Sequence, residues 1–214
     1  MNYYELHEVS NSDLTELKNI LYPRDQVGDR EKAFRFGRLV DAMITEPDRV
    51  RYDKRAVDGE VYSGEDWALA EEMKKSIRRE AKSDKFLKYV LDAAETQKIA
   101  IRQAQEFEYG NFRYTLNTRC KWDWWLRALH FGGDLKTTSA ETQQQFNEAI
   151  DYFDWDRSRA WYMDVTGSSN DFIYAISKKN CKVFKLMITR DSDIYRRGRE
   201  KYEDLAFKWW QLYE

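Results

Sequence analysis

KIAIRQAQEFEY (98–109), NFRYTLNTRCKWDWWL (111–126) and FGGDLKTT (131–138) are the stretches on which the fold turns. They read as three strands. YGN turns the chain between the first two, and a loop around 127–129 precedes the third. Alternation is clean at Phe112, Tyr114 and Leu116. On a strand, residues i and i+2 share a face. Asp134 and Lys136 then project together while Leu135 projects into the core. Eleven residues before Asp134, CKWDWW places Asp123 in the preceding strand. If those strands pair, the two carboxylates converge at one end of the sheet. Two carboxylates with waters and a phosphate oxygen make a hard-oxygen site suited to Mg²⁺ or Mn²⁺. Lys136 would orient an attacking water and neutralise developing charge. By residue type alone, D-x-K is a weak signal that more often describes exposed strand acids with a salt-bridging lysine.

Outward from these strands the pattern is helical. SNSDLTELKNIL opens on an N-cap residue, places Leu14, Leu17, Ile20 and Leu21 at helical spacing, and meets Pro23. A second helix is expected over about 31–45, with Phe34, Leu39, Val40 and Met43 as its apolar side; Pro47 stops it. Others are expected over about 64–81 and 84–94, then, beyond the three strands, over about 140–152 and 156–165. Two further strands, DFIYAISK and CKVFKLMIT, join through KKN, and a last helix covers about 192–212. Its aromatics Tyr195, Tyr202, Trp209 and Trp210 read as packing residues. The expected fold class is α/β (α+β): a small mixed sheet of about five strands flanked by helices, in one domain over residues 1–214.

The bulk numbers exclude several classes. With 42% hydrophobic and 35% charged residues the chain reads as globular rather than disordered. No apolar run approaches the roughly 18–20 residues of a membrane helix. MNYYELHEVSNSDL has no secretory pattern, so a reduced, cytoplasmic setting is expected. Two cysteines are too few for a four-thiolate metal or iron–sulfur site, and two histidines too few for a histidine-rich zinc site. Cys120, next to Lys121 and near Asp123, reads as a plain buried thiol. A formal charge of −2 argues against a non-specific nucleic-acid coat protein but not against a nuclease. The basic clusters at 30–38, 74–79 and 190–201 read as solvated helix faces.

R-C-K-W-D, ten residues, then D-L-K-T-T resembles the PD-(D/E)XK nucleases, and within them the phage and prophage recombination exonucleases related to exodeoxyribonuclease VIII. HEVSNSDL (7–14), FGRLVDAMITEPDRV (36–50), FDWDRSRAWYMDVTG (153–167) and the segment from VFKLMIT to YRRGREKYEDL resemble further landmarks of that family in the same order. The resemblance spans nearly the whole chain and implies a restriction-endonuclease-like core. It implies that Asp123 and Asp134 bind the metal ion, Mg²⁺ or Mn²⁺, with the Leu135 carbonyl, and that Lys136 is catalytic. Tyr162 matches the family's helix tyrosine, and Thr137 and Thr138 match hydroxyls near the DNA backbone. Asp41 stands where the family has a metal-facing histidine, and oxygen ligation there is still compatible with Mg²⁺. Ser158 stands where the family has glutamine, and Arg157 or Arg159 is expected to compensate on a DNA phosphate. Glu95 and Gln97 fall where related enzymes carry an additional acid.

The resemblance implies a metal-dependent deoxyribonuclease: a 5′→3′ exonuclease, encoded by phage or bacterial host, that resects duplex DNA ends beside a single-strand annealing protein. It also implies a ring-shaped homo-oligomer and no membrane. Two alternatives stand with it, an endonuclease of the same superfamily and a catalytically inactive DNA-binding or assembly subunit.

Overall fold

The computed structural model describes residues 3–23 and 29–214. Helix α1 (Asn11–Leu21) opens with a reciprocal capping box: the Ser10 hydroxyl accepts from the Asp13 N–H, and the Asp13 carboxylate accepts from the Ser10 N–H. Leu14 and Leu17 are buried, whereas Ile20 and Leu21 in the last turn lie in solvent. Helix α2 (Arg30–Thr45) starts at the Asp29 cap and stops before Pro47. Its buried side is Phe36, Leu39, Val40 and Met43, an i, i+3, i+4, i+7 stripe. Phe34, expected on that side, falls off the stripe and is 60% exposed.

A small meander follows: β1 (Val50–Arg51), β2 (Ala56–Val57) and β3 (Glu60–Val61). Helices α3 (Gly64–Glu80) and α4 (Lys85–Ala93) come next, the latter capped by Asp84. The long hairpin of β4 (Glu95–Tyr109) and β5 (Phe112–Leu126) leads to β6 (Phe131–Thr138). Helices α5 (Gln143–Tyr152) and α6 (Trp155–Thr166) then cross to β7 (Asn170–Ser177), which returns as β8 (Val183–Thr189) before α7 (Asp193–Tyr213). The main sheet runs β4-β5-β6-β7-β8. Only β6 and β7 are parallel, as a helical crossover permits and a hairpin does not. The five-stranded mixed sheet flanked by helices is the expected class.

Each sheet face has its own core. Leu14, Phe146, Trp161, Tyr202 and Leu205 cover one face with Ile173 and Ala175 of β7. Leu39, Met43, Ala70, Ile77 and Leu87 cover the other, with Leu135, Phe172 and Tyr174. Along β5, Tyr114, Leu116, Cys120 and Trp122 serve the first core, but Trp124 and Leu126 serve the second. The alternation changes face at Asp123.

The two glycines before Asp134 are required for space. A Cβ at Gly132 would enter the Trp122 ring and the Trp124 carbonyl, and one at Gly133 would enter the Phe172 ring, both far inside the 3.0 Å that real Cβ atoms keep. Phe172 is fully buried and packed against Phe86, Phe131 and Trp124, so it has nowhere to go. Gly133→Ala is expected to lower stability by about 2–3 kcal/mol. Urea denaturation measures this, and an unchanged midpoint would contradict the packing.

Candidate active site

Strands β5 and β6 pair only at Trp124–Gly133, Trp125–Gly132 and Leu126–Phe131. Beyond Gly133, β6 keeps β7 as its partner through Thr138. In the gap that opens, Asp123 takes the place of a backbone partner: its Oδ2 accepts from the Leu135 N–H at 2.8 Å. The N–H and C=O of one strand residue point to the same side, so the Leu135 carbonyl faces this gap too. Asp134, 4% exposed, pairs through Oδ2 with the Lys136 ammonium, although without an aligned hydrogen bond. The structure thus brings Asp123, Asp134, the Leu135 main chain and Lys136 to one place, with Leu135 in the core behind them.

Asp41 joins from α2. It accepts from the Thr45 hydroxyl at 3.0 Å and from Gln97 Nε2 at 3.2 Å. Gln97 lies on β4 between the pairs Thr96–Trp124 and Lys98–Trp122, opposite Asp123, with φ at 54°. That left-handed backbone is unfavourable for glutamine. It is held by bonds from its amide to both Asp41 and Thr45. Glu95, the other weak candidate, does not join: it pairs with Arg127 and Lys98 at the start of the strand.

The charges respond to one another. Burial above all, then Asp134 and Asp41, raises the Asp123 carboxyl well above its ordinary range. Burial also opposes charge on Asp134, but Arg159 and Lys136 outweigh it and hold that carboxyl low. Asp123 and Asp134 therefore form a coupled pair whose surroundings favour the proton on Asp123 and the charge on Asp134. Burial, with the Asp134 and Glu46 carboxylates, pushes Asp41 up to about 6 against the Thr45 hydroxyl and Lys136.

An acid whose folded pKa is raised binds a proton in the native state that the unfolded chain has released. Asp41 therefore costs stability as pH rises from about 4 through 6, and the cost is complete above that window. A move from 3.8 to about 6 corresponds to about 3 kcal/mol at most, less for a half-buried group beside water. Asp41→Asn is expected to stabilise the metal-free protein by on the order of 1 kcal/mol at pH 8 and by nothing near pH 4. Urea unfolding at the two pH values checks it.

Helix α6 departs from expectation. Arg157 is buried and binds Asn11 Oδ1 and Thr15 Oγ1 of α1, so it fastens two helices and is not offered to a phosphate. Arg159 is buried as well. Its Nη2 lies 3.4 Å from Asp134 Oδ1 and its Nη1 lies 3.8 Å from Asp171 Oδ2. Its guanidinium packs over the Tyr162 ring at 4.0 Å. Ser158 donates to the Trp155 carbonyl and accepts from Arg159 Nε. Tyr162, edge-on to Trp122, walls the same arginine. Thr138 is also withdrawn from solvent: it is buried and its Oγ1 accepts from the Ala140 N–H. Thr137 stays half-buried, facing α2 at Gly37. Asp171 was not anticipated. It enters through the parallel register that sets it beside Gly132.

Among the described residues no three His, Cys, Asp or Glu side chains form a ready-made metal cage. The donors still suit a hard divalent ion. Asp123 and Asp134 crowd into one gap, Asp41 adds to their field, and the Leu135 carbonyl faces the same space. Mg²⁺ binds through one or two carboxylates and keeps several waters. Cys120 is fully buried, with its thiol pushed well up by burial, which fits a packing role. No described helix is long and apolar enough to cross a membrane.

No family model matches the chain, and no curated protein does. Among solved structures, the chain is similar to a phage-related exonuclease from Haemophilus somnus 129PT at 13% identity and a TM-score of 0.44, over 95% of this chain and 93% of that one. It is similar also to SSO0001 at 13% identity and a TM-score of 0.39, over 91% and 84%. Likeness at this level carries no argument about activity.

Proposed function

We propose that the gap between β5 and β6 hydrolyses phosphodiester bonds in DNA with a divalent metal ion, Mg²⁺ or Mn²⁺. One observation supports this most. The Asp123 side chain reaches from β5 to the Leu135 N–H where β6 presents Asp134 and Lys136, so two acids and an ammonium from neighbouring strands share a site. Asp123, Asp134 and the Leu135 carbonyl would hold the ion, with Asp41 as a further oxygen ligand or as acceptor of the attacking water's proton. When bound, such an ion polarises the phosphodiester and lowers the pKa of a bound water. Lys136 is half-exposed at the mouth, placed to orient the attacking water and to neutralise charge on the phosphate through Nζ. Gln97 and Thr45 fix Asp41, and Arg159 fixes Asp134, so neither carboxylate reorganises during the reaction.

The finer reading follows the sequence resemblance: 5′→3′ resection of duplex ends by a cytoplasmic homo-oligomer working beside a single-strand annealing protein. A time course on 5′- and 3′-labelled linear duplex, run beside closed-circular plasmid, tests it. Loss of the 5′ label as mononucleotides with the circle untouched supports the exonuclease. Nicking or linearisation of the circle supports the endonuclease instead. Binding without cleavage in any metal would favour the inactive subunit, a reading that draws on the cations already seated on Asp134.

A further inference from the structure

Asp134 meets a second cation on the side away from Lys136. Arg159 is 1% exposed, and its guanidinium lies against Asp134 in front and Asp171 behind. Tyr162 and Trp122 enclose it, at 4.0 and 5.3 Å from their ring centres, and Ser158 Oγ accepts from its Nε at 3.4 Å. Arginine does not lose its proton in proteins, so this charge is permanent. Asp171 is fully buried, and neither of its carboxylate oxygens has a hydrogen bond among the described residues. Burial above all raises the Asp171 carboxyl well above its ordinary range, and Arg159 is the cation that opposes this. With Asp171 set against Arg159, the gap retains Asp41, Asp123 and Asp134 against Lys136. A second ion on Asp134 would have to approach the oxygen that Arg159 already faces.

We infer that Arg159, anchored by Asp171, is a resident cation in the place a second metal ion would take at Asp134, so that the gap binds a single divalent ion. The inference rests on the metal-dependent reading of the site. Arg159 is on this view a positioning residue that also sets metal stoichiometry. The planar guanidinium orients the Asp134 carboxylate, and its charge limits how much further positive charge the site accepts. Removing the charge and removing its anchor should then act in opposite directions. Without the Arg159 charge the acids bind cations more tightly. Without the Asp171 carboxyl the guanidinium has Asp134 as its acid partner and is no longer shared, and cations bind more weakly.

The test is a Mn²⁺ titration of the full chain without DNA, with free Mn²⁺ followed by electron paramagnetic resonance. The wild type is expected to bind one ion. Arg159→Gln should bind it about tenfold more tightly or take up a second. Asp171→Asn should bind it several-fold more weakly, and Arg159→Lys, which keeps the charge, should retain one ion. A structural role alone would predict weaker binding in every variant. Two ions bound by the wild type, or weaker binding by a folded Arg159→Gln, overturns the inference and leaves the nuclease reading standing. Should Arg159→Gln fail to fold, Arg159→Lys and Asp171→Asn decide together: one ion at wild-type affinity in the first with weaker binding in the second supports the inference, and weaker binding in both, or unchanged or tighter binding in Asp171→Asn, overturns it. No Mn²⁺ bound by the wild type overturns both this inference and the metal-dependent reading.

Discussion

Asp134→Asn and Asp123→Asn should each lower Mg²⁺-dependent cleavage by on the order of a thousandfold, yet only the first should destabilise the protein. Asp134 is the charged member of the pair, buried between Lys136 and Arg159. Neutralising it leaves the buried Arg159 with Asp171 alone, at 3.8 Å. Breaking a buried ion pair from one side costs about 3–5 kcal/mol. Relief of repulsion with Asp123 offsets little, because burial and the neighbouring acids favour the neutral form of Asp123. For the same reason asparagine is a close mimic of Asp123: it keeps an oxygen for the Leu135 N–H and introduces no missing charge. Initial rates and urea unfolding of the two variants check this together. Equal loss of stability in both would contradict the assignment of proton and charge.

Gly198→Ala is expected to lose about 3 kcal/mol or more, a large stability effect for the smallest change. Gly198 is where α7 rests on the backbone of α6. A Cβ there would run into the carbonyl of Asp156 and approach the N–H of Arg157 at 3.0 Å. Backbone cannot step aside as a side chain can. Ordinarily alanine gains up to about 1 kcal/mol over glycine within a helix, but here the clash prevails. The displacement would also disturb the polar contacts flanking the glycine: Arg197 and Lys201 on the buried Asp156, and Tyr195 and Tyr202 on Asp164. Because α6 carries Arg159 to Asp134, any residual folded protein should cleave DNA poorly. Thermal unfolding and initial rates on the purified variant measure both effects.

Most elements were legible because their signals are local. The Ser10 capping box, the stops at Pro23 and Pro47, and the alternation through β5 need only neighbouring residues. The helix boundaries expected for α2, α3 and α7 agree with the observed ones to within a residue or so. The two-residue strands β1 to β3 are too short to show a period. Phe34 misled because it is apolar, whereas the i, i+3, i+4, i+7 stripe runs through Phe36. In the site, the juxtaposition of Asp134 and Lys136 followed from alternation alone. The Asp171–Arg159–Asp134 chain did not, since it depends on the parallel register of β6 and β7 and on the depth of α6. Arg157 and Arg159 are ordinary surface residues by type, and nothing in their immediate sequence marks them as buried. The left-handed backbone at Gln97, which lets its side chain reach Asp41, has no sequence signature of the kind a glycine would give.

Lys136 offers the most direct measurement, because it is half-exposed and its loss leaves no buried charge without a partner other than Asp134, which keeps Arg159. The experiment compares wild type and Lys136→Ala on end-labelled linear duplex in Mg²⁺, with EDTA added midway. The expected result is cleavage by the wild type that stops at the chelator, a rate lower by about a thousandfold in the variant, and DNA binding retained by both. Cleavage that continues in EDTA, or that proceeds equally in Lys136→Ala, would contradict a metal-dependent site at the divergence of β5 and β6.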